Sequence, residues 1–220
     1  MKIQKPTILI PAKHIAKDAV LEVDYTWKNS KHLAIICHPN PKVGGNMLSK
    51  VVTNLYRFYR DKNINVVRFN YRGVGKSSGN IEYGQGEFID ALCVLNWAIN
   101  QTNATYLHIS GFSFGGFIAC LLSNEILEDK LNNYKNIQLE KTILVAPSIE
   151  KNNPEGLKLN KENTFVIYGN KDEFINPNNI EKFSKLFGLK PIKIEGATHF
   201  FNGKQEDLKN VLEDIYKSNS

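Results

Sequence analysis

A chain of 220 residues, 42% of them hydrophobic, is long enough to bury a sizeable core, and we expect one domain over residues 1–220. No apolar run approaches the roughly 20 residues that a membrane-spanning helix requires, so we expect no stable membrane insertion.

The net charge of +6 is unevenly distributed, because residues 1–80 carry 14 Lys and Arg against 4 Asp and Glu. This basic third permits an acidic substrate, although a lysine-rich solvated surface explains it more simply. We find no nucleic-acid-binding motif in this segment and therefore expect no nucleic-acid partner.

The three cysteines, Cys37, Cys93 and Cys120, are odd in number and lack the spacing of a metal site. All three lie in apolar segments, and we read no secretory signal at the start of the chain. We therefore expect buried free thiols, a cytoplasmic protein and no metal site.

Hydrophobic patterns predict strands and helices that alternate along the chain. Apolar runs predict strands at residues 7–10, 20–25, 33–37, 66–69, 106–109, 142–146, 164–168 and 191–194. Apolar residues at helical spacing predict helices within residues 48–59, 88–99, 116–122, 180–187 and 208–215. The second strand alternates polar and apolar residues, which indicates an exposed antiparallel edge.

Alternating strands and helices predict an α/β fold with a doubly wound, mostly parallel sheet that carries helices on both faces. Continuous apolar runs such as residues 33–37 support strands that are buried on both sides. Only about 17 residues, 147–163, separate two core strands at the place where a cap could be inserted. We therefore expect no sizeable cap domain and an open site.

The most informative motif is Gly-Phe-Ser-Phe-Gly at residues 111–115. It lies between a predicted strand and a predicted helix, which is the context of a nucleophile elbow. Glycines flank Ser113 because side chains there would collide with the neighbouring strand and helix. Ser113 is therefore the predicted nucleophile.

A serine hydroxyl needs a base to remove its proton, and the base needs an acid to orient it. In elbow-type hydrolases these residues follow in the order serine, acid, histidine. His199 is the only histidine after Ser113, and it lies in a loop between the last strand and the last helix. Asp172, just after the strand at 164–168, is the predicted acid, with Glu173 and then Glu150 as alternatives.

The tetrahedral intermediate needs two N–H donors for its oxyanion. One is predicted to be the backbone N–H of Phe114, at the start of the helix after the elbow. The other should come from the loop after the strand at 33–37, where Pro39 and Pro41 have no N–H. Asn40 remains as the backbone donor. His38 could line the pocket or hold this loop by a hydrogen bond, and we favour the structural role over a catalytic one.

Together these motifs resemble those of the α/β-hydrolase superfamily and, more narrowly, those of small cap-less bacterial hydrolases similar to the dienelactone-hydrolase-like group. The matching segments are residues 38–41, 44–45, 68–77, 111–115, 169–173 and 196–201. The resemblance implies a cofactor-free hydrolase of carboxylic esters or related acyl compounds. In such relatives an Asp often precedes the catalytic His, whereas this chain has Thr198. The elbow residue is serine, so the cysteine nucleophile of the dienelactone enzymes is not expected.

The expected function is therefore a serine hydrolase acting on a small acyl substrate, with a short-chain esterase favoured over a thioesterase or a peptidase. A second hypothesis is a catalytically silent scaffold of the same fold that binds a ligand or a protein partner. A third arises from Gly75-Lys76-Ser77, which is reminiscent of a nucleotide-binding loop. That loop needs a glycine five positions before Gly75, where this chain has Asn70. The sequence leaves the oligomeric state open.

Overall fold

The computed structural model describes residues 7–130, 133–149 and 154–217. Its strands are β1 (Ile8–Pro11), β2 (Val20–Thr26), β3 (His32–Cys37), β4 (Asn65–Phe69), β5 (Tyr106–Phe112), β6 (Gln138–Val145), β7 (Thr164–Gly169) and β8 (Pro191–Ile194). Its α-helices are α1 (Lys50–Asp61), α2 (Gln85–Gln101), α3 (Phe114–Glu128), α4 (Pro177–Leu186) and α5 (Gln205–Lys217). A short 3₁₀ turn spans Pro41–Val43.

The eight strands form one sheet in the order β1-β2-β4-β3-β5-β6-β7-β8. Strands β3 to β8 are parallel to one another, and β2 pairs antiparallel with both β1 and β4. The predicted doubly wound, mostly parallel α/β fold is thereby confirmed. The prediction that β2 forms an edge is wrong, since β1 occupies the edge and covers β2. Leu21 and Val23 face the core beneath α2, α3 and α4 and are fully buried.

Alternate residues of the central strands face two helical layers, as the two-residue period of a strand requires. In β3, Leu33, Ile35 and Cys37 belong to the core beneath α2, α3 and α4, whereas Ala34 and Ile36 belong to the core beneath α1 and α5. All five side chains are at most 1% exposed. Burying each large apolar side chain contributes about 1.5–3 kcal/mol relative to exposure, which holds helices on both faces.

The carboxyl ends of the parallel strands lie along one edge of the sheet. The chain passes from β3 to β4 on one side of β3 and then returns to place β5 on the other side. This reversal opens a crevice beyond the ends of β3 and β5, which is where open α/β sheets bind ligands. The loop after β3 and the turn after β5 are therefore placed side by side.

No helix or strand occurs between β6 and β7 in the part of that connection that the structure describes, residues 146–149 and 154–163. The crevice therefore has no sizeable cap, in agreement with the prediction. Of the described helices, none combines the length and the apolar character needed to cross a membrane.

A buried polar cluster lies under α1 and α5, towards the opposite edge of the sheet. His108 is 2% exposed, with its Nε2 atom 3.1 Å from Nδ1 of His32 and its Nδ1 atom 2.8 Å from the Tyr216 hydroxyl. Burial lowers the pKa of His108 to about 3, and the charges of His32 and Lys141 act in the same direction. The folded protein thus keeps the His108 imidazole neutral, whereas the unfolded chain binds a proton there.

The free energy of unfolding should therefore decrease as the pH falls from 6.5, the pKa of the histidine in the unfolded chain, to about 3, its pKa in the folded protein. We expect His108→Gln to reduce the pH dependence of the unfolding free energy in this window by about 1.4 kcal/mol per pH unit. The measurement is urea unfolding of both proteins at pH 4, 5 and 6. The difference between their two slopes isolates His108, because the other histidines contribute equally to both. Parallel slopes for the two proteins would contradict the assignment.

Candidate active site

Ser113 forms a strained turn between β5 and α3. Its backbone adopts φ 56° and ψ −120°, a left-handed conformation that residues with side chains rarely take. Hydrogen bonds on both sides hold it there. The Ser113 N–H donates to the Val145 carbonyl (2.9 Å), and the Ser113 carbonyl accepts from Gly116 N–H (2.8 Å) and Ser148 N–H (2.9 Å). The side chain is thereby presented at the crevice, with the residue 8% exposed.

The two glycines of the motif permit close backbone contacts that a side chain would block. A Cβ atom on Gly111 would overlap the carbonyl of Gly115, and one on Gly115 would overlap the carbonyls of Cys37 and His38. The N-terminus of α3 can therefore lie directly against the end of β3. This contact brings the elbow and the loop after β3 to the same crevice.

The structure places Ser113, His199 and Asp172 in one chain of hydrogen bonds. His199 Nε2 is 3.0 Å from Ser113 Oγ, and His199 Nδ1 is 2.7 Å from Asp172 Oδ2. The side chains of His199 and Asp172 are 5% and 2% exposed. The other carboxylate oxygen of Asp172 accepts from the N–H groups of Phe174 (2.9 Å) and Ile175 (2.8 Å), which fixes the carboxylate in place.

Glu173, the first alternative acid, contacts a different part of His199. Its Oε2 atom accepts a hydrogen bond from the His199 backbone N–H at 3.1 Å. It therefore ties the two loops together, while the carboxylate at the imidazole belongs to Asp172. Glu150, the second alternative, lies outside the described residues.

The backbone N–H groups of Asn40 and Phe114 belong to residues that line the same crevice as Ser113. Asn40 starts the 3₁₀ turn, and its side-chain oxygen accepts from Lys42 N–H at 2.9 Å. Its carbonyl accepts from Gly45 N–H at 3.0 Å. None of the loop and turn hydrogen bonds in the described part of the chain uses the N–H of Asn40 or Phe114. Both donors are thus free for a ligand.

His38 does not line the crevice, so its predicted place in the pocket is wrong. The residue is fully buried, and its ring lies 4.1 Å from that of Tyr71. Burial lowers the pKa of His38 to about 3, so the imidazole is neutral. Its Nδ1–H donates to the Pro39 carbonyl (2.7 Å), and Nε2 accepts from Tyr71 N–H (3.2 Å). Of the two roles considered, the structure places His38 in the one that holds the loop.

A cavity of about 430 Å³ opens in front of Ser113, within the size range of small-molecule sites. No Lys, Arg, Asp or Glu side chain is found among the described residues that line it. Sequence reasoning missed its aromatic walls, Tyr83, Phe174 and Phe200. Tyr83 has a positive φ of 66°, and its ring stacks on Phe114 at 4.5 Å. No local pattern distinguishes these residues from other aromatic residues in loops.

The glycine-rich loop after β4 is occupied by contacts within the protein. Lys76 N–H donates to Glu22 Oε2 (3.0 Å), and Ser77 Oγ donates to the Asn70 carbonyl (2.7 Å). Glu22 N–H in turn donates to Ser77 Oγ (2.9 Å). The Lys76 N–H and the Ser77 hydroxyl, which a nucleotide-binding loop would offer to its ligand, are thus used within the protein, and this speaks against a nucleotide site.

The cysteines are free, and Cys37 and Cys120 are fully buried, whereas Cys93 is only partly buried. Burial raises the pKa of both Cys37 and Cys120 to about 12, so these thiols stay protonated. Within the residues that the structure describes, no three His, Cys, Asp or Glu side chains are grouped to hold a metal ion.

Comparison with known proteins identifies the class to which this fold and site belong. A family model for the alpha/beta hydrolase fold matches residues 35–134. An uncharacterized protein of Rickettsia prowazekii is 31% identical over 193 residues, which cover 83% of this chain and 77% of that protein. The chain therefore belongs to the α/β-hydrolase superfamily.

Solved structures agree with this assignment. A protein of Coxiella burnetii, described as an alpha-beta serine hydrolase homologue, has a TM-score of 0.82 and 28% identity over 96% of this chain and 97% of that one. A serine hydrolase without a lid from Xanthomonas campestris has a TM-score of 0.80 and 26% identity over 99% and 96%. Fold, family and relatives together support a hydrolase.

Proposed function

We propose that the protein is a serine hydrolase that cleaves carboxylic esters or related acyl compounds through an acyl-enzyme. The observation that carries the proposal is the continuous hydrogen-bonded path from Ser113 Oγ through His199 to Asp172, at 3.0 and 2.7 Å. A nucleophile, a base and an orienting acid in this geometry are the requirements of covalent acyl transfer. The proposed reaction uses no cofactor.

In the first half of the reaction, His199 Nε2 takes the Ser113 proton as Oγ attacks the acyl carbon. Asp172 accepts the His199 Nδ1–H hydrogen bond, which keeps Nε2 free as the base and stabilises the imidazolium that forms. The backbone N–H groups of Asn40 and Phe114 donate to the developing oxyanion. The imidazolium then protonates the leaving oxygen, the bond from carbon to that oxygen breaks, and the acyl group remains on Ser113.

In the second half, a water molecule replaces the departed alcohol. His199 takes one proton from this water as its oxygen attacks the acyl carbon, and the same two N–H donors hold the oxyanion again. Return of that proton to Ser113 Oγ releases the carboxylic acid and regenerates the enzyme. One ester and one water thus yield one alcohol and one acid.

The lining of the cavity has no charged side chain among the described residues, which favours an uncharged acyl substrate, although Nζ of Lys42 lies 5.1 Å from the ring centroid of the lining residue Tyr83. Two arginines of the basic first third are already paired with carboxylates, Arg68 with Asp24 (2.8 Å) and Arg72 with Asp90 (2.9 Å). Since buried pairs of this kind satisfy both charges, these cations are not available to a substrate. Thioesterase and peptidase activities use the same machinery and remain the alternatives within this proposal.

The second hypothesis is a silent scaffold that binds a ligand or partner. The fixed carboxylate of Asp172 and the strained backbone of Ser113 favour the hydrolase over this scaffold, because strained backbone conformations are concentrated at functional sites. Failure to hydrolyse a broad ester panel, together with no labelling by a fluorophosphonate, would favour the scaffold.

An acyl-enzyme should be directly detectable. With p-nitrophenyl acetate, we expect a burst of about one nitrophenolate per protein molecule, because an activated ester acylates faster than it deacylates. Mass spectrometry of acid-quenched protein should locate one acetyl group on Ser113. Protein unfolded in denaturant before addition of the ester is the control, since it retains acetylation of lysines and loses that of the serine. Steady hydrolysis by the folded protein with no acetylated serine at any quench time would contradict the mechanism.

A further inference from the structure

Two large aromatic side chains are exposed at the mouth of the cavity. Phe174 is 61% exposed and Phe200 is 42% exposed, and both line the cavity that contains Ser113. Their ring centroids are 5.6 Å apart in an edge-to-face arrangement with an interplanar angle of 75°. Exposed apolar side chains that adjoin one another beside a cavity are typical of a binding surface. We call Phe174 and Phe200 the phenylalanine pair.

The phenylalanine pair lies beside the proposed base. The His199 ring centroid is 5.3 Å from that of Phe174 and 5.1 Å from that of Phe200. In the proposed mechanism, His199 Nε2 protonates the leaving oxygen, so that oxygen must come within hydrogen-bonding distance of this atom. The group attached to the leaving oxygen therefore emerges on the same side as the phenylalanine pair.

The oxyanion side of Ser113 has a separate aromatic wall. Tyr83 stacks on Phe114, whose backbone N–H is a proposed oxyanion donor, with ring centroids 4.5 Å apart and an interplanar angle of 17°. Among the described residues, no ring contact joins Phe114 or Tyr83 to His199 or to the phenylalanine pair, so two separate aromatic groups border the cavity at Ser113. The two halves of an ester consequently meet different surfaces.

Resting on the proposed function, we propose that the phenylalanine pair forms the leaving-group subsite and selects esters of alcohols that carry an aromatic ring rather than an anionic group. A third ring can pack against the exposed faces and edges of an edge-to-face pair with the offset or T-shaped geometry that aromatic rings prefer. An anionic alcohol gains no ion pair there, because no Lys or Arg side chain lines the cavity among the described residues. Phe174 and Phe200 are therefore specificity-determining residues.

Truncation of the pair leaves the proposed catalytic groups in place. The contact of Phe174 with Asp172 is made by the backbone N–H, at 2.9 Å, and an alanine keeps it. Since Phe174 is 61% and Phe200 is 42% exposed, their removal leaves a space that is open to solvent rather than an enclosed cavity. A loss of activity in Phe174→Ala or Phe200→Ala thus reports on the substrate rather than on folding.

Two isomeric esters test the alcohol and acyl halves of the substrate separately. Benzyl acetate carries its ring on the alcohol, and methyl phenylacetate carries it on the acyl group. We expect the Phe174→Ala/Phe200→Ala double variant to lower kcat/KM for benzyl acetate about tenfold and to change that for methyl phenylacetate less than about twofold. The value of kcat/KM is the measurement because it reports on acylation, in which the leaving group departs.

Leu186→Ala is the matched control, because Leu186 is 62% exposed and lies on α4 away from the cavity. It should leave both esters unchanged. An equal loss on the two isomers, a larger loss on methyl phenylacetate, or no turnover of benzyl acetate by protein that a fluorophosphonate labels at Ser113 would overturn the subsite. Absence of that labelling in the unmodified protein would instead refute the proposed function.

Discussion

Ser113→Ala is expected to lower ester hydrolysis by about 10⁴- to 10⁶-fold in kcat and to abolish labelling by a fluorophosphonate. The physical reason is the absence of any other route to the covalent intermediate, since Oγ is the atom 3.0 Å from His199 Nε2. The measurement is initial-rate hydrolysis of an aryl acetate, together with detection of the fluorescent probe on denaturing gels. Because alanine tolerates the strained turn no worse than serine does, the melting temperature should stay close to that of the unmodified protein.

Ser30→Ala is the matched control for this change. Ser30 lies just before β3, at the opposite edge of the sheet from Ser113, where its hydroxyl accepts from His32 N–H at 3.1 Å. It should keep full labelling and full activity. If Ser113→Ala still takes up the probe at a single site, the nucleophile is a different residue and the proposed mechanism is wrong.

Asp172→Asn is expected to reduce kcat by about 10⁴-fold with little effect on the fold. The carboxylate accepts from His199 Nδ1–H at 2.7 Å, whereas an amide can turn its NH₂ group towards the ring and favour the wrong tautomer. It also removes the negative charge that stabilises the imidazolium. Hydrolysis rates, with circular dichroism to check the fold, measure the effect.

Glu173→Gln separates the two neighbouring carboxylates. Glu173 accepts from the His199 backbone N–H, and the glutamine carbonyl can keep this hydrogen bond. Its loss of activity should therefore stay below about tenfold, the size of one ordinary hydrogen bond. A Glu173→Gln variant as inactive as Asp172→Asn would mean that the orienting acid has been misassigned.

The fold was largely predictable because its signals are local. The core strands are short, continuous apolar runs rich in β-branched residues, and residues Leu33 to Cys37 are typical of a strand buried on both faces. The error at β2 has a non-local cause. Val23 pairs with Phe69, 46 positions further along the chain, and nothing in residues 20–26 indicates that partner. The alternation of polar and apolar residues indicated an edge strand, but β1 pairs with the free edge of β2.

Some residues of the candidate site could likewise be predicted from local sequence, whereas others depended on the folded structure. The glycine spacing around Ser113 encodes its turn within five residues, and His199 is the only histidine that follows it. The choice between Asp172 and Glu173 depends on which carboxylate points at the imidazole, and adjacent residues point in different directions only once the loop has folded. The two roles left open for His38 could not be separated for the same reason, because a residue at the end of a buried strand can face either the crevice or the core.

By itself, the amino-acid sequence determined the α/β class, the strand order in the chain, the serine turn and the identity of the histidine, because each depends on residues close in sequence or on a single available candidate. Only the tertiary structure decided the pairing of β2, the burial of His38, the partner of each carboxylate, and the aromatic walls formed by Tyr83, Phe174 and Phe200. These features arise where loops from distant strands meet at one edge of the sheet. Contacts of that kind are set by three-dimensional packing rather than by local spacing.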